Sequence, residues 1–250
     1  MEEVKLTPNE LKEAIDFGKL IGSGFFSKVF TYKGRLIKMD QNLYDLLKVN
    51  NPVFSDVIVK DHYKWQKEDF NNREQLEELS KRQPFIRPRV PEGIITINSN
   101  DSRIKDVSPG IIIPYFEGYE NLKKIPATEY KQLLILLRKV LDDIKNLADN
   151  EIAQEDLFHY AKNEDSANPE LYDYNILQKN GDAQIIDMSG PLVKVGKNFE
   201  GAKVMYSDFA KMMNYYYIAN GLKPIYNETD NLSEDDLSRM ITEFDKATRK

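Results

Sequence analysis

Residues 19–39 read Lys-Leu-Ile-Gly-Ser-Gly-Phe-Phe-Ser-Lys-Val-Phe-Thr-Tyr-Lys-Gly-Arg-Leu-Ile-Lys-Met, and this order of apolar, glycine and basic positions decides the fold of the first part of the chain. Lys19 to Phe30 reads as strand, glycine-rich turn and strand, and Lys33-Gly34 makes a tight turn into a third short strand over Arg35–Met39. Three successive antiparallel strands make a small sheet. In the first turn, Ile21-Gly22-Ser23-Gly24-Phe25-Phe26-Ser27-Lys28-Val29, the glycines let backbone N–H groups approach phosphate oxygens with no Cβ in the way. Ser27 stands where a G-x-G-x-x-G pattern has its third glycine. A dinucleotide-binding βαβ unit needs a helix after the turn, and a strand follows here, so that reading is rejected. An ordinary glycine-rich hairpin accounts for this stretch alone equally well.

Alternation puts Leu36 and Lys38 on one face of the third strand. A lysine there calls for a carboxylate or phosphates to offset its desolvation, with Glu74, Glu77 and Glu78 as the carboxylate candidates. The plain alternative is an edge-strand lysine in water.

Upstream, Thr7-Pro8-Asn9-Glu10 carries a cap, a proline at the first helical position and a glutamate three on, predicting a helix to about Asp16. Downstream, residues 40–66 are poorly patterned and read as loop with a helical fragment. Glu68–Arg82 lacks Gly and Pro and reads as a helix, which Pro84, Pro88 and Pro91 end. Extended chain around Ile94–Ile97, a polar loop over 98–107 and a buried strand Gly110–Ile113 follow, and Pro114-Tyr115-Phe116-Glu117-Gly118 reads as a connector.

From Thr128, taken as an N-cap, Tyr130, Leu133, Leu134, Leu137, Val140, Leu141, Ile144 and Leu147 fall on the 3.6-residue period. Glu129, Asp142 and Asp143 read as solvated surface of that helix. Residues 158–170 are polar and read as irregular. Asn175–Gln178 and Ala183–Asp187 form two strands joined across Asn180-Gly181, a strong hairpin signal. Ser207–Asn220 reads as a helix closed by Gly221, and Ser233 caps a last one. The expected class is α+β, with a strand-rich first lobe over 1–113, a hinge over 114–120 and a mostly helical second lobe over 121–250.

Composition narrows the function. The chain has no cysteine, which excludes disulfides and thiolate metal sites, and His62 and His159 are too far apart in sequence to suggest a zinc site. A net charge of −6 argues against a protein that coats nucleic acid. No apolar run approaches the ~20 residues of a membrane span, and the acidic start differs from a signal peptide. A cytoplasmic chain with no membrane partner is expected, and its oligomeric state is unspecified.

One further constellation carries chemistry. Asn175-Ile176-Leu177 followed by Ile185-Ile186-Asp187-Met188-Ser189-Gly190 puts an amide oxygen and a carboxylate at the ends of paired strands, both hard ligands suited to magnesium. A lone strand ending in Asp is usually a turn; an Asn across the hairpin makes the pair more specific.

In order and approximate spacing over residues 17–220, these stretches resemble the protein-kinase-like superfamily, and the Leu171–Ser189 region is most similar to its reduced RIO-type members. The resemblance implies a bilobal fold with a small β-rich N-lobe and a reduced helical C-lobe, and it implies ATP and Mg2+ as cofactors. It identifies Gly22, Gly24, Phe26, Ser27 and Val29 with the glycine-rich loop, Lys38 with the phosphate-holding lysine and Glu74 with its helix partner. Ile113, Pro114 and Phe116 fall at the gatekeeper and hinge that meet adenine; Ile21 and Leu177 complete the nucleotide-contacting set. Asn175 and Asp187 match the metal ligands. No His-Arg-Asp occurs and no Ala-Pro-Glu follows Asp187, so a regulated activation loop is not expected.

The catalytic carboxylate has two candidates. Glu170 stands five residues before Asn175, where the family's aspartate is expected, and needs no gap. Asp156, in Glu151-Ile152-Ala153-Gln154-Glu155-Asp156-Leu157, matches the stretch around that aspartate but needs a long extra loop, whose closure cost rises only slowly with length. Glu170 is preferred slightly. The leading expectation is a protein serine/threonine kinase. A small-molecule kinase would use Tyr206, Phe209, Tyr215, Tyr216 and Tyr217 around its acceptor, although aromatics at helical spacing are more often core. A pseudokinase scaffold is the third reading, weakened by the presence of both Lys38 and Asp187.

Overall fold

Thr7 starts the first helix by satisfying two backbone donors at once: its Oγ1 accepts from the Glu10 amide at 3.3 Å, and Glu10 accepts from the Thr7 amide at 2.8 Å. In the computed structural model this capping box opens α1, Pro8–Phe17. The structure describes residues 2–24, 27–49, 77–78, 80–81, 89, 91–105, 107–126, 129–161, 170–188, 193–196, 199–224 and 233–248. The chain is α+β and divides into two units, Met1–Phe116 with Met188–Pro191, and Glu117–Asp187 with Leu192–Lys250.

The first unit is built on a six-stranded sheet, β1 (Glu2–Leu6), β2 (Leu20–Ser23), β3 (Ser27–Tyr32), β4 (Arg35–Asp40), β5 (Gly93–Ile97) and β6 (Gly110–Ile113), in the order β1-β5-β6-β4-β3-β2. Lys33 and Gly34 have φ of 46° and 77°, so β3 and β4 join through a two-residue turn whose handedness matches the strand twist. Phe30 on β3, Ile37 and Met39 on β4 and Ile112 on β6 form one core cluster with Leu11 and Ile15 of α1. Leu43, Tyr44 and Leu47 of α2, Gln41–Val49, join the same cluster. Each such side chain contributes about 1.5–3 kcal/mol by leaving water.

The helical fragment read within residues 40–66 is Gln41–Val49, a regular helix. One feature of this unit departs from the sequence reading. β1 was not expected at all: it pairs parallel with β5, Glu2 opposite Gly93 through Leu6 opposite Ile97. Its five residues are too short and charged to signal a strand, and the partner lies some ninety positions away. Glu2 secures it through two bonds from Arg35 at 2.7 and 3.0 Å.

In the second unit, β7 (Glu120–Asn121) leads through a 3-10 turn (Leu122–Lys124) to α3, Tyr130–Asp149. Leu133, Leu137, Val140, Leu141, Ile144 and Leu147 of α3 are fully buried, as the periodicity requires. The helix N-cap is Glu129, without a side-chain cap bond, rather than Thr128, which lies outside the described residues. Strands β8 (Ile152–Gln154), β9 (Phe158–Ala161), β10 (Glu170–Tyr174), β11 (Ile176–Lys179), β12 (Asp182–Ile185) and β13 (Val193–Val195) follow, with α4 (Phe199–Ala219) and α5 (Glu234–Thr248). They make three small sheets, β12-β11-β7, β13-β8 and β10-β9.

The segment read as irregular therefore holds a strand at each end, with Tyr174 opposite Phe158 and Glu170 opposite Ala161. Two-stranded pairing between short mixed segments leaves little periodic signal. α4 begins at Phe199, eight residues before the Ser207 start that was read, because Phe199–Tyr206 mixes polar and apolar positions without a clear stripe. Phe209 and Tyr216 are fully buried, with the Phe209 and Phe244 rings edge to face at 5.7 Å, which ties α4 to α5. Two of the five aromatics weighed for an acceptor pocket are thus core residues. Asp143 is buried rather than solvated. Among the described residues no helix is long and apolar enough to cross a membrane.

Gly18 joins α1 to β2 at a point with no room for a side chain. A Cβ there would lie 2.3 Å from the Ala14 carbonyl oxygen and 2.6 Å from that of Thr31, both backbone atoms. The Gly18→Ala substitution is expected to lower stability by about 1–3 kcal/mol, read as a fall in urea midpoint; an unchanged midpoint would refute the close approach of α1 to β3.

Candidate functional site

The chain leaves α3 at Asp149, makes β8 and turns at Glu155-Asp156. Gln154, buried at the end of β8, accepts the Asp156 amide through its Oε1, which shapes that turn. The side-chain Nδ2 of Asn175, 19 residues away in sequence, donates to the Asp156 carbonyl and stands 3.4 Å from its Oδ2. The Asn175 backbone N–H donates to the Leu157 carbonyl at 3.2 Å, and its carbonyl accepts the Ile186 N–H at 2.9 Å. Asn175 thus ties the Asp156 turn to the residue before Asp187.

Asp187 ends the hairpin of β11 and β12, whose Asn180-Gly181 turn has φ of 51° and 81°. Its own φ is 66°, a left-handed conformation that costs a non-glycine residue on the order of 1–3 kcal/mol and recurs at functional sites. The donors match a hard divalent cation: a carboxylate at Asp187, and at Asn175 an amide whose nitrogen is already engaged with Asp156, leaving its oxygen for a metal. Among the described residues no group of three or more His, Cys, Asp or Glu side chains gathers into a metal site. A cation held here would take its remaining oxygens from phosphate and water.

Glu170 stands apart from this junction. It lies at the far end of β10, opposite Ala161, so extended backbone carries its Cα roughly 15 Å from Asn175 at about 3.3 Å per residue. Asp156 and Asn175 are brought together; Glu170 and Asn175 are not.

In the first unit, Lys38 is buried at 7% exposure, opposite Val29 of β3 and Ile111 of β6 on neighbouring strands. A cation in that apolar row requires anionic or polar company. The glycine-rich turn is closed by the Gly24 N–H donating to the Ser27 carbonyl at 2.9 Å, and Lys28 Nζ donates to Ser23 Oγ at 2.8 Å. Ile21 is the extra residue of a bulge, since Leu20 pairs with Phe30 and Gly22 with Val29. Gly22 has no positive φ, and among the described residues a Cβ built there meets only the Val29 Cβ at 3.9 Å, an ordinary contact. Nothing among the described residues requires glycine at this position. Ile113, Pro114 and Phe116 are half-buried at the end of the unit. Phe26 and Glu74 lie outside the described residues, as do the side chains of Glu170 and His159; Glu77 and Glu78 are helical.

Past the connector, Leu177 pairs with Asn121 of β7. Lys179 Nζ donates to the Glu117 carbonyl at 2.7 Å and lies 5.6 Å from the centre of the Tyr119 ring. The Tyr119 hydroxyl donates to Asp182 at 2.8 Å. This clamp, which no sequence signal identified beforehand, fastens residues 117–121 to the hairpin that ends in Asp187.

Comparison with protein-family models gives no match, and no curated protein matches the chain.

The hydrogen bond to Asp182, with burial second, raises the Tyr119 phenol above its ordinary value. The clamp's contribution is therefore fully present below the unfolded-chain value of about 10 and is lost as pH rises through the higher folded value. Urea midpoints between about pH 9 and about pH 11 are expected to fall less steeply for Tyr119→Phe than for the parent; parallel slopes would show that the phenol proton is not linked to folding.

Proposed function

We propose that this chain is an ATP-dependent phosphotransferase of the protein-kinase-like kind, passing the γ-phosphoryl group of Mg·ATP to a serine or threonine hydroxyl of a protein. The observation that carries the reading is the junction at Asn175, which joins the Asp156 turn to the backbone entering Asp187. An acid, an amide and a second acid drawn from distant parts of the sequence suit a base and two metal ligands. The buried Lys38 and the unexplained Gly22 support the same reading from the other unit.

The roles follow from donor chemistry. Asn175 and Asp187 would hold Mg2+, which when bound neutralises charge on the β- and γ-phosphates. Lys38 pairs with the α/β-phosphates, and the turn around Gly22 and Gly24 offers backbone N–H groups to phosphate oxygens. Asp156, rather than Glu170, orients the acceptor hydroxyl and takes its proton. The acceptor oxygen bonds to the γ-phosphorus while the bond from that phosphorus to the β–γ bridging oxygen breaks, and its electron pair leaves with ADP.

The parent protein is expected to melt at a higher temperature with Mg2+ and ATP together than with either alone, and Asp187→Ala to lose that shift. With radiolabelled ATP, Asp156→Asn is expected to lower phosphate transfer by about 10²–10⁴-fold while keeping the melting shift; Glu170→Gln stays within severalfold of the parent. The reverse pattern would reassign the base to Glu170. Full transfer by Lys38→Ala would sink the site as drawn.

Gly22→Ala provides a separate check on the first unit. Its melting temperature without nucleotide is expected to match the parent, since the added methyl meets only an ordinary contact. Its ATP affinity falls by roughly tenfold or more, because the methyl occupies space a phosphate needs. Unchanged affinity would remove the glycine turn from the nucleotide site.

A further inference from the structure

The edge of the β12-β11-β7 sheet holds a buried acid that the phosphotransferase reading does not use. Asp143 projects from the middle of α3, is 7% exposed, and accepts the backbone N–H of Ile185 through Oδ2 at 2.9 Å across a sequence gap of 42 residues. Ile185 pairs with Ile176 on β11, and β12 is the outer strand of its sheet, so this outward N–H has no ladder partner to its other side. A hydrophobic residue at position 143 would suffice to pack α3 against β12. An acid instead fixes where one particular amide sits, two residues before the left-handed turn at Asp187.

From this geometry we infer that Asp143 is a positioning residue for Asp187. Its bond to Ile185 from one side and the Asn175 bond to Ile186 from the other hold successive backbone N–H groups at the end of β12. Two anchored peptide groups determine the path of the chain into residue 187 and sustain a φ that an aspartate in a free loop seldom adopts. Asp143 therefore sets the position of the carboxylate offered to the metal without touching the metal itself. The inference rests on the reading of Asp187 as a magnesium ligand. Groups that orient a ligand from behind typically change metal affinity or activity by about 10–100-fold when removed.

The test uses the full chain with ATP and Mg2+ as the probes. The Mg2+ concentration that half-produces the ATP-dependent melting shift is measured for the parent, Asp143→Asn and Asp143→Leu, with amide hydrogen exchange followed at Ile185. Asp143→Asn keeps an acceptor oxygen at the same reach, and is expected to stay within severalfold of the parent midpoint. Asp143→Leu keeps the bulk and loses the acceptor; the midpoint is expected to rise about tenfold or more, with faster exchange at Ile185. Were the leucine variant not to fold, Asp143→Glu, which displaces the carboxylate by one methylene, is expected to raise the midpoint as well. A purely structural role would lower the melting temperature without nucleotide and leave the Mg2+ midpoint unmoved; that result in the leucine or glutamate variant overturns the inference while the phosphotransferase reading survives. Absence of any Mg·ATP shift in the parent overturns both, and is told apart because it precedes every substitution.

Discussion

Asn175 uses three of its hydrogen-bonding groups to join parts of the chain that sequence keeps apart. Its backbone N–H goes to Leu157, its carbonyl to Ile186, and its amide nitrogen to Asp156. Each such bond adds only about 0.5–1.5 kcal/mol net, but leaving buried partners unmet costs more than that, so the three act as a constraint rather than as glue. Once they are made, β9 and β10 must leave and re-enter the site as a pair. The hairpin of β11 and β12 must also end beside the turn that carries Asp156. A glutamine in place of Asn175 has the same groups on a longer stem and cannot meet all three positions without moving the backbone.

The hairpin is held at several points, by polar groups rather than by a large apolar face. Asp143 takes its outer edge at Ile185, β7 pairs with β11, and the Lys179–Tyr119–Asp182 clamp secures the end nearest the connector. This matters because Asp187 adopts a left-handed backbone conformation, which is uncommon for any residue with a Cβ. A strained residue persists only where its neighbours determine its path more strongly than the strain opposes it. Ile176 and Ile185 are fully buried on the opposed strands, and β12 packs against α3 beside the polar ties.

What was legible in the sequence was what local chemistry decides. Thr7 and Glu10 announce their capping box, Asn180-Gly181 its two-residue turn, and the Leu-rich period its long helix; the structure has all three. What was not legible depended on partners far along the chain. β1 has meaning only against β5, and Asp143 reads as a surface acid until Ile185 is known to lie beside it. Which of Asp156 and Glu170 lies beside Asn175 turned on the same limit. Counting residues back from Asn175 favours Glu170, but counting assumes a tight loop, whereas β10 is extended and carries position 170 away as Leu157 brings its neighbour back. Sequence spacing predicts proximity only when the secondary structure between two residues is known.

Two glycines show how the fold separates structural need from functional need. At Gly18 backbone oxygens crowd the site of a Cβ to within 2.6 Å, so glycine is demanded by packing alone and says nothing about a ligand. At Gly22 the same test finds one side-chain carbon at 3.9 Å and no left-handed backbone. Glycine in a strand without such a reason gives up about 0.5–1 kcal/mol relative to alanine through the freedom of the unfolded chain. Nothing among the described residues of the first unit returns that loss at Gly22. Under the proposed reading, a phosphate oxygen reaching a backbone N–H is the approach that a side chain at this position would obstruct. The residue that the fold can do without is therefore the more informative of the two about function.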